Sequence, residues 1–369
     1  MIIAIIAGAR PNFMKVAPII KAVNAAKEQG REIDFRLIHT GQHYDKKMSG
    51  DFFEQLGIPE PHVNLEAGGG SQAEQTAAIM VRFEKDMIAH RPDVVLVVGD
   101  VTSTMACSIV AKKLCVPVVH VEAGIRSGDM AMPEEINRIV TDSITDHFFT
   151  TSEVANTQLR KSGITEDRIH FVGNTMIDTL FANLDRLRKP NIWDEFTLRS
   201  GNYFLVTLHR PANVDDPYKL KAMLDAILEG TGDMPIVFPV HPRTRQKLEL
   251  IKYHHPRLLQ VEPMGYLEFI YMVKHAKAVI TDSGGITEET TVLKVPCMTL
   301  RDSTERPETV TEGSNELVGT NPSNLAPYLK KLLAGDWKKS AVPPMWDGKT
   351  APRIVAKLLA LYEGATVPA

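Results

Sequence analysis

Cysteine is nearly missing from this sequence. Cys107, Cys115 and Cys297 are the only three in 369 residues. They make neither an even disulfide set nor a metal-ligand spacing, and read as buried, reduced thiols of a cytoplasmic protein. A net positive charge is also missing. With a formal net charge of −3 there is no global field to gather nucleic acid, so an anionic ligand has to be held by local basic residues. No hydrophobic run reaches membrane-spanning length, so no membrane partner is expected. The apolar opening MIIAIIAGARP is short, lacks a basic lead-in and runs into Arg10-Pro11. It reads as a strand rather than a signal peptide. There are no repeats of solenoid period and no low-complexity tracts, which sets aside solenoid and low-complexity architectures. His39, His43 and His120 do not make zinc spacing, so no metal site is expected. The later glycines of a dinucleotide fingerprint do not follow GARPNFMK, so no nicotinamide is expected.

What remains is ordinary globular material, 44% hydrophobic and 24% charged, long enough for about two domains. Strand, loop and helix alternate throughout. IIAIIA (2–7) is a continuous apolar run, as a strand buried on both faces requires, and FRLIH (35–39), VVLVV (94–98), PVVHV (117–121), HFFTTS (147–152) and RIHFVG (168–173) read as further strands. Ser71 with Glu74 forms a capping box that opens a helix to about His90. The second half repeats the pattern with YFLVTLH (203–209), IVFPVH (236–241), LLQVE (258–262), AKAVIT (276–281) and VPCMTL (295–300). This alternation predicts an α/β fold of two parallel sheets covered by helices, joined by right-handed crossovers. The first domain is expected over 1–172 and the second over 173–350. A last helix, within about 351–369, is expected to pack back on the first.

Ligands of such folds bind beyond the carboxyl ends of the strands, so the residues just after each apolar run matter most. TDSGG (281–285) puts Ser283, Gly284 and Gly285 at a helix start, where bare N–H groups suit a phosphate. A plain helix cap fits the same residues equally well. Glu289, one turn on, fits the hydroxyls of a ribose, while Glu288 is expected to be a solvated or dipole-favoured acid. Arg10 and Lys15 follow the first strand and can reach a diphosphate or form surface salt bridges. Asp100 and Glu122 end separate strands, and Glu134 opens a helix after Pro133. Close carboxylates can divide acid and base roles, although Asp100 and Glu134 also fit caps and first-turn acids. His209 and His241 end strands too, and either can act on a phosphate or serve as a satisfied structural histidine.

Read in order, GARPNFMKVAPI, VGDVTST, HVEAGIRSGDMAMPEEINR, GNTMIDTL, TLHRPANVDD, PVHPRT, TDSGGITEE and RDSTERPE carry a resemblance through most of the chain. The sequence resembles the non-hydrolysing UDP-N-acetylglucosamine 2-epimerases. That resemblance implies two Rossmann-like domains, glycosyltransferase-B-like, with the active site in the cleft between them. It also implies a homodimer that takes a UDP-sugar and needs no cofactor. The reaction implied is inversion at C2, by elimination of UDP to a 2-acetamidoglucal and readdition. Asp100, Glu122 and Glu134 match the family's acid/base carboxylates, and His209 matches the histidine that acts at the diphosphate. Arg10 and Lys15 match substrate contacts. Ser283, Gly284 and Gly285 match the phosphate-holding turn, Glu289 the ribose acceptor, Arg306 a nucleotide-site residue and Phe269 a position beside the uracil.

The sequence departs from the family pattern at Met264, at Thr287 and in HRPAN. HTGQHYDKKM keeps Gln42 and His43 but has Asp45 where relatives that bind a second activating substrate have another polar contact. The resemblance extends to relatives acting on UDP-2,3-diacetamido-2,3-dideoxy-glucuronic acid. A hydrolysing epimerase, a glycosyltransferase and a non-catalytic UDP-sugar sensor are the other readings of the same motifs.

Overall fold

A strand in the middle of a parallel sheet buries both faces and needs apolar side chains in both directions. The computed structural model describes residues 1–41 and 56–362 and places the apolar runs in that setting. The chain divides into two compact units, Met1–Ala182 with Pro344–Ala369, and Asn183–Pro343.

The first unit begins with β1 (Ile2–Ala7), α1 (Arg10–Glu28), β2 (Asp34–His39), β3 (Val63–Asn64) and α2 (Gln72–Ala89). It continues with β4 (Val94–Val98), α3 (Thr102–Lys113), β5 (Val118–Val121), α4 (Pro133–Ile144) and β6 (His147–Thr150). Next come α5 (Glu153–Lys161), β7 (Ile169–Phe171) and α6 (Thr175–Asn183). The strands form one parallel sheet in the order β3-β2-β1-β4-β5-β6-β7. Alternate residues serve opposite layers. Ile3, Ile5 and Ala7 pack with Phe13, Val16 and Ile20 of α1, while Ala4 and Ile6 pack with Phe83 of α2 and Val110 of α3. The Ser71–Glu74 capping box opens α2 as expected.

The second unit contains β8 (Phe204–Thr207), α7 (Pro217–Gly230), β9 (Ile236–Pro239), α8 (Pro242–Leu250), β10 (Leu258–Val261) and α9 (Tyr266–His275). It is completed by β11 (Ala278–Thr281), α10 (Gly284–Leu293), β12 (Cys297–Thr299), α11 (Pro307–Thr311), β13 (Asn315–Leu317) and α12 (Leu325–Leu333). Its parallel order, β10-β9-β8-β11-β12-β13, repeats the doubly wound arrangement of the first unit. The expected α/β class with two Rossmann-like units is therefore the fold observed. β3 and β13, two and three residues long, were not foreseen. Of the three thiols expected inside, Cys107 and Cys297 are buried but Cys115 is exposed. It lies in the turn after α3 at φ 55°, away from both cores. Among the described residues no helix is long and apolar enough to cross a membrane.

The last helix, α13 (Thr350–Tyr362), belongs to the first unit. Ile354, Val355 and Leu358 join Val16 and Ile20 in its core. Trp346, buried just before α13, donates from Nε1 to the Thr151 carbonyl at 2.9 Å. Asp178 of α6 accepts from the N–H groups of Thr350 at 3.0 Å and Ala351 at 2.6 Å, supplying a cap from a distant helix. Burial still keeps the Asp178 carboxyl above its ordinary range. Asp178→Ala should leave those amides without their acceptor and cost about 1–2 kcal/mol. The expected readout is faster hydrogen exchange along α13. Exchange unchanged from wild type would show that the core contacts alone hold the helix.

Candidate active site

In a doubly wound sheet the chain leaves two neighbouring strands in opposite directions, which opens a crevice beyond their carboxyl ends. That point falls between β1 and β4 in the first unit and between β8 and β11 in the second.

In the first unit, Asn12 ties the start of α1 to the end of β4. Its Oδ1 accepts from the Ala9 N–H at 3.0 Å, and its Nδ2 donates to the Val98 carbonyl at 2.9 Å. Gly99 then turns the chain at φ 69°, in the left-handed region. A Cβ there would stand 3.2 Å from Lys15 Nζ and 3.7 Å from Glu122 Oε2. Lys15 and Glu122 meet at 2.6 Å, with side chains 13% and 3% exposed. Glu122 itself sits at φ 68°, a conformation costing a non-glycine residue on the order of 1 kcal/mol. Its N–H donates to the Phe149 carbonyl at 2.9 Å, which helps to fix the turn.

Asp100 accepts from Arg138 Nη2 at 2.5 Å. Arg138 Nη1 meets Glu135 at 2.8 Å, and Glu135 accepts the N–H groups of Ser127 and Gly128 at 2.9 and 3.0 Å. Burial works against the Glu135 charge, but these donors together hold its carboxyl below the ordinary range. Glu134 is half-buried one turn before Arg138, on the same face of α4. That helix is inverted: Glu135, Asn137, Arg138 and Asp142 are buried, while Ile136 and Ile139 are exposed. Arg10 opens α1, but its side chain lies outside the described residues, as do Gln42, His43 and Asp45.

In the second unit the switch point is organised by Asp282, which is wholly buried. It accepts the N–H groups of His209 at 3.0 Å and Arg210 at 2.9 Å, and Asn213 Nδ2 at 3.1 Å. His209 Nδ1 stands 2.8 Å from the same carboxylate, with its side chain 57% exposed. Burial pushes Asp282 up, but the hydrogen bond and charge of His209, with Arg210 and Asn213, bring it below the ordinary carboxylate range. With Nδ1 so engaged, Nε2 is the nitrogen available to a ligand.

Ser283 stands at the N-cap of α10, where its side chain makes no capping bond. Gly284 and Gly285 form the first turn, and a Cβ on Gly285 would meet nothing within 4 Å. Glu289 is buried, and that burial pushes its carboxyl up to about 8. The Tyr266 hydroxyl beside it opposes the shift and the charge of Glu288 adds to it. Glu288 is not the solvated acid expected from sequence: it is buried and pairs with Arg306 Nε at 2.5 Å. The helix is packed on both sides here, so consecutive acids are both enclosed. Arg301 meets Glu305 at 2.6 Å, and Arg210 approaches the same carboxylate at 3.8 Å. Phe269 and Met264 pack on the cluster of Tyr203, Leu205 and Val279, whereas His241 is exposed.

The first switch point thus gathers Lys15, Glu122 and the Asp100 turn, with Arg138 behind. The second gathers His209, the Ser283–Gly285 turn, Glu289 and Arg306. Sequence reasoning passed over Arg138 and Tyr266. Asp282, which directly follows a buried strand in TDSGG, is marked by that position but was given no role. Lys15→Met is expected to destabilise the first unit by about 3–5 kcal/mol, the usual cost of breaking a buried pair. Adding Glu122→Gln should recover much of it in denaturant titrations. Strict additivity of the two changes would show that the pair carries no coupling.

A family model described as UDP-N-acetylglucosamine 2-epimerase matches residues 25–359. The UDP-N-acetylglucosamine 2-epimerase of Methanocaldococcus jannaschii is 42% identical over 367 residues, covering 96% of this chain and 98% of that one. The crystal structure of the Methanocaldococcus jannaschii UDP-GlcNAc 2-epimerase in complex with UDP-GlcNAc and UDP matches with a TM-score of 0.85 at 42% identity, over 98% of this chain and 100% of that one. The UDP-2,3-diacetamido-2,3-dideoxy-D-glucuronate 2-epimerase of Pseudomonas aeruginosa is 41% identical over 323 residues, 86% of this chain and 88% of that one. This chain belongs to the UDP-N-acetylglucosamine 2-epimerase family.

Proposed function

We propose that this protein interconverts UDP-N-acetylglucosamine and UDP-N-acetylmannosamine by eliminating and readding UDP. The observation that carries the reading is the meeting of Glu122, Lys15 and the Asp100 turn at one switch point, in a chain whose second unit offers an anion site with an acid one turn behind it.

The chemistry explains why both are needed. The C2 hydrogen has no carbonyl beside it and is not acidic. It becomes removable when the C1–O bond breaks, positive charge develops at C1 and the ring oxygen, and the bond electrons leave with UDP. A carboxylate then takes the C2 proton, giving a 2-acetamidoglucal. Protonation of C2 from the other face and attack of UDP on C1 give the epimer. Asp100, Glu122 and Glu134 are assigned as the acid/base groups, which also face the developing positive charge. His209, Arg10, Lys15, Arg306 and the Ser283–Gly285 N–H groups are assigned to the diphosphate, Glu289 to the ribose and Phe269 to the uracil. The reading asks one UDP-sugar to reach both sets of groups. It includes a cytoplasmic homodimer, which light scattering tests.

A second substrate is favoured by one observation, the 41% identity to the diacetamido-glucuronate epimerase of Pseudomonas aeruginosa. The chemistry is shared and the sugar substituents differ, so parallel assays with the two nucleotide sugars separate them.

In deuterated water the enzyme should place deuterium at C2 of its substrate. Glu122→Gln should bind UDP normally and lose exchange by about 10³-fold. No deuterium from the wild type with either sugar would sink the epimerase reading. Loss of UDP binding in the variant would make Glu122 structural.

Glu289 supplies a pH signature. Raised to about 8, its carboxyl holds a proton at pH 7 before ligand arrives. Ribose hydroxyls donating to it favour the charged form, so binding should release that proton. Calorimetry in buffers of different ionisation enthalpy should show more proton release at pH 7 for wild type than for Glu289→Gln. The difference should fade as pH rises past about 8. Equal release would remove Glu289 from the ribose.

A further inference from the structure

His120 lies in β5 and is wholly buried. Both ring nitrogens have partners. Nε2 is 2.8 Å from the Gly99 carbonyl oxygen and Nδ1 is 2.7 Å from Asp142 Oδ1. A carbonyl oxygen only accepts, so Nε2 carries hydrogen. The other Asp142 oxygen takes Arg126 Nη1 at 2.6 Å and the Gly124 N–H at 3.1 Å. The guanidinium and the amide on that oxygen favour the ionised carboxylate, so Oδ1 accepts as well and Nδ1 carries hydrogen. A neutral imidazole has one N–H and this ring needs two. Turning the ring over would put carbon against both acceptors and leave them buried without a donor.

The two partners lead to the two assigned carboxylates. Gly99 precedes Asp100, and its N–H donates to the Val121 carbonyl at 3.0 Å, the residue before Glu122. Gly124 follows Glu122 by two positions, at φ 77°, where a Cβ would lie 2.5 Å from the Ala155 carbonyl oxygen.

We propose that His120 is a positioning residue, a buried imidazolium that sets the spacing of Asp100 and Glu122 by holding the Gly99 carbonyl on one nitrogen and, through Asp142, the Gly124 amide on the other.

The charge on the ring stands on geometry alone, whereas its effect on turnover rests on the epimerase reading. Two measurements keep them apart. In wild-type enzyme labelled with nitrogen-15 histidine, long-range proton–nitrogen correlation at neutral pH should show a solvent-protected ring with both nitrogens protonated. Only a neutral tautomer in the protected set would overturn the proposal, whatever the activity. His120→Gln keeps one amide donor but no charge. It is expected to bind UDP as wild type does and to lose about 10² in the rate of C2 exchange, with little change in KM, as a small misplacement of reacting groups would. A folded His120→Gln enzyme with wild-type exchange would overturn the positioning role. A variant that does not fold leaves the decision to the wild-type spectrum. Wild-type enzyme inert toward both sugars would end the epimerase reading while the spectrum still judges the ring.

Discussion

A lysine of the first helix, held inside the protein against a glutamate at the end of the fifth strand, is the contact on which the rest of the first unit's site depends. Lys15 and Glu122 are 107 residues apart and meet at 2.6 Å. Taking two such charges out of water costs several kcal/mol each, which only close, well-oriented pairing offsets. The pairing is close because three backbone features converge. Asn12 fastens the start of α1 to β4, Gly99 turns without a side chain, and Glu122 accepts a left-handed conformation. A side chain on Gly99 would crowd the pair, its Cβ 3.2 Å from Lys15 Nζ, in a left-handed turn that disfavours any side chain. The helix start, the Asp100 turn and the end of β5 therefore move as one piece or not at all.

The two switch points arrange charge in opposite order. In the first, Asp100 is 31% exposed and its partner Arg138 is 4% exposed, so the anion stands forward and the cation behind. In the second, His209 is 57% exposed and Asp282 is fully buried, so the titratable base stands forward and the anion behind. Glu288 backs Arg306 in the same sense. One doubly wound plan, used twice, thus presents an acidic edge in one unit and a basic, N–H-rich edge in the other. The first six strands of each unit follow the same order, and the residues after the strands differ. This is how one fold serves unlike chemistry: the sheet fixes where groups emerge, and the turns decide which groups they are.

Most of the architecture was legible in the sequence because buried parallel strands write themselves as unbroken apolar runs. The strand-end residues followed from that, which is how Asp100, Glu122, His209 and Ser283 were found. β3 and β13 escaped because two or three residues cannot show a period. The partners of the site residues escaped for a different reason. Arg138 on Asp100 and Asp282 on His209 are 38 and 73 residues away, and no local spacing records such a pairing. α4 was hidden by its own inversion: a helix that buries Glu135, Arg138 and Asp142 and exposes Ile136 presents the usual amphipathic signal backwards. Glu288 was read as solvated because acids near a helix start ordinarily are, and only its ion pair with Arg306 shows otherwise.

These buried counter-charges matter most for the proposed elimination. As the anomeric bond breaks, the hexose becomes positive and the diphosphate gains negative charge. Water would meet that separation by reorienting, and it would also capture C1. Groups already pinned in place need not reorient, so their stabilisation is available as the charge appears. Pinning requires a partner behind each group, and Arg138 behind Asp100 and Asp282 behind His209 are such partners. The free energy of arranging these dipoles and charges is met when the chain folds, which is why so many ionised side chains lie inside a protein whose cores are otherwise apolar. An unpaired aspartate or histidine at the same strand ends would be free to follow solvent, and would stabilise the separated charges correspondingly less.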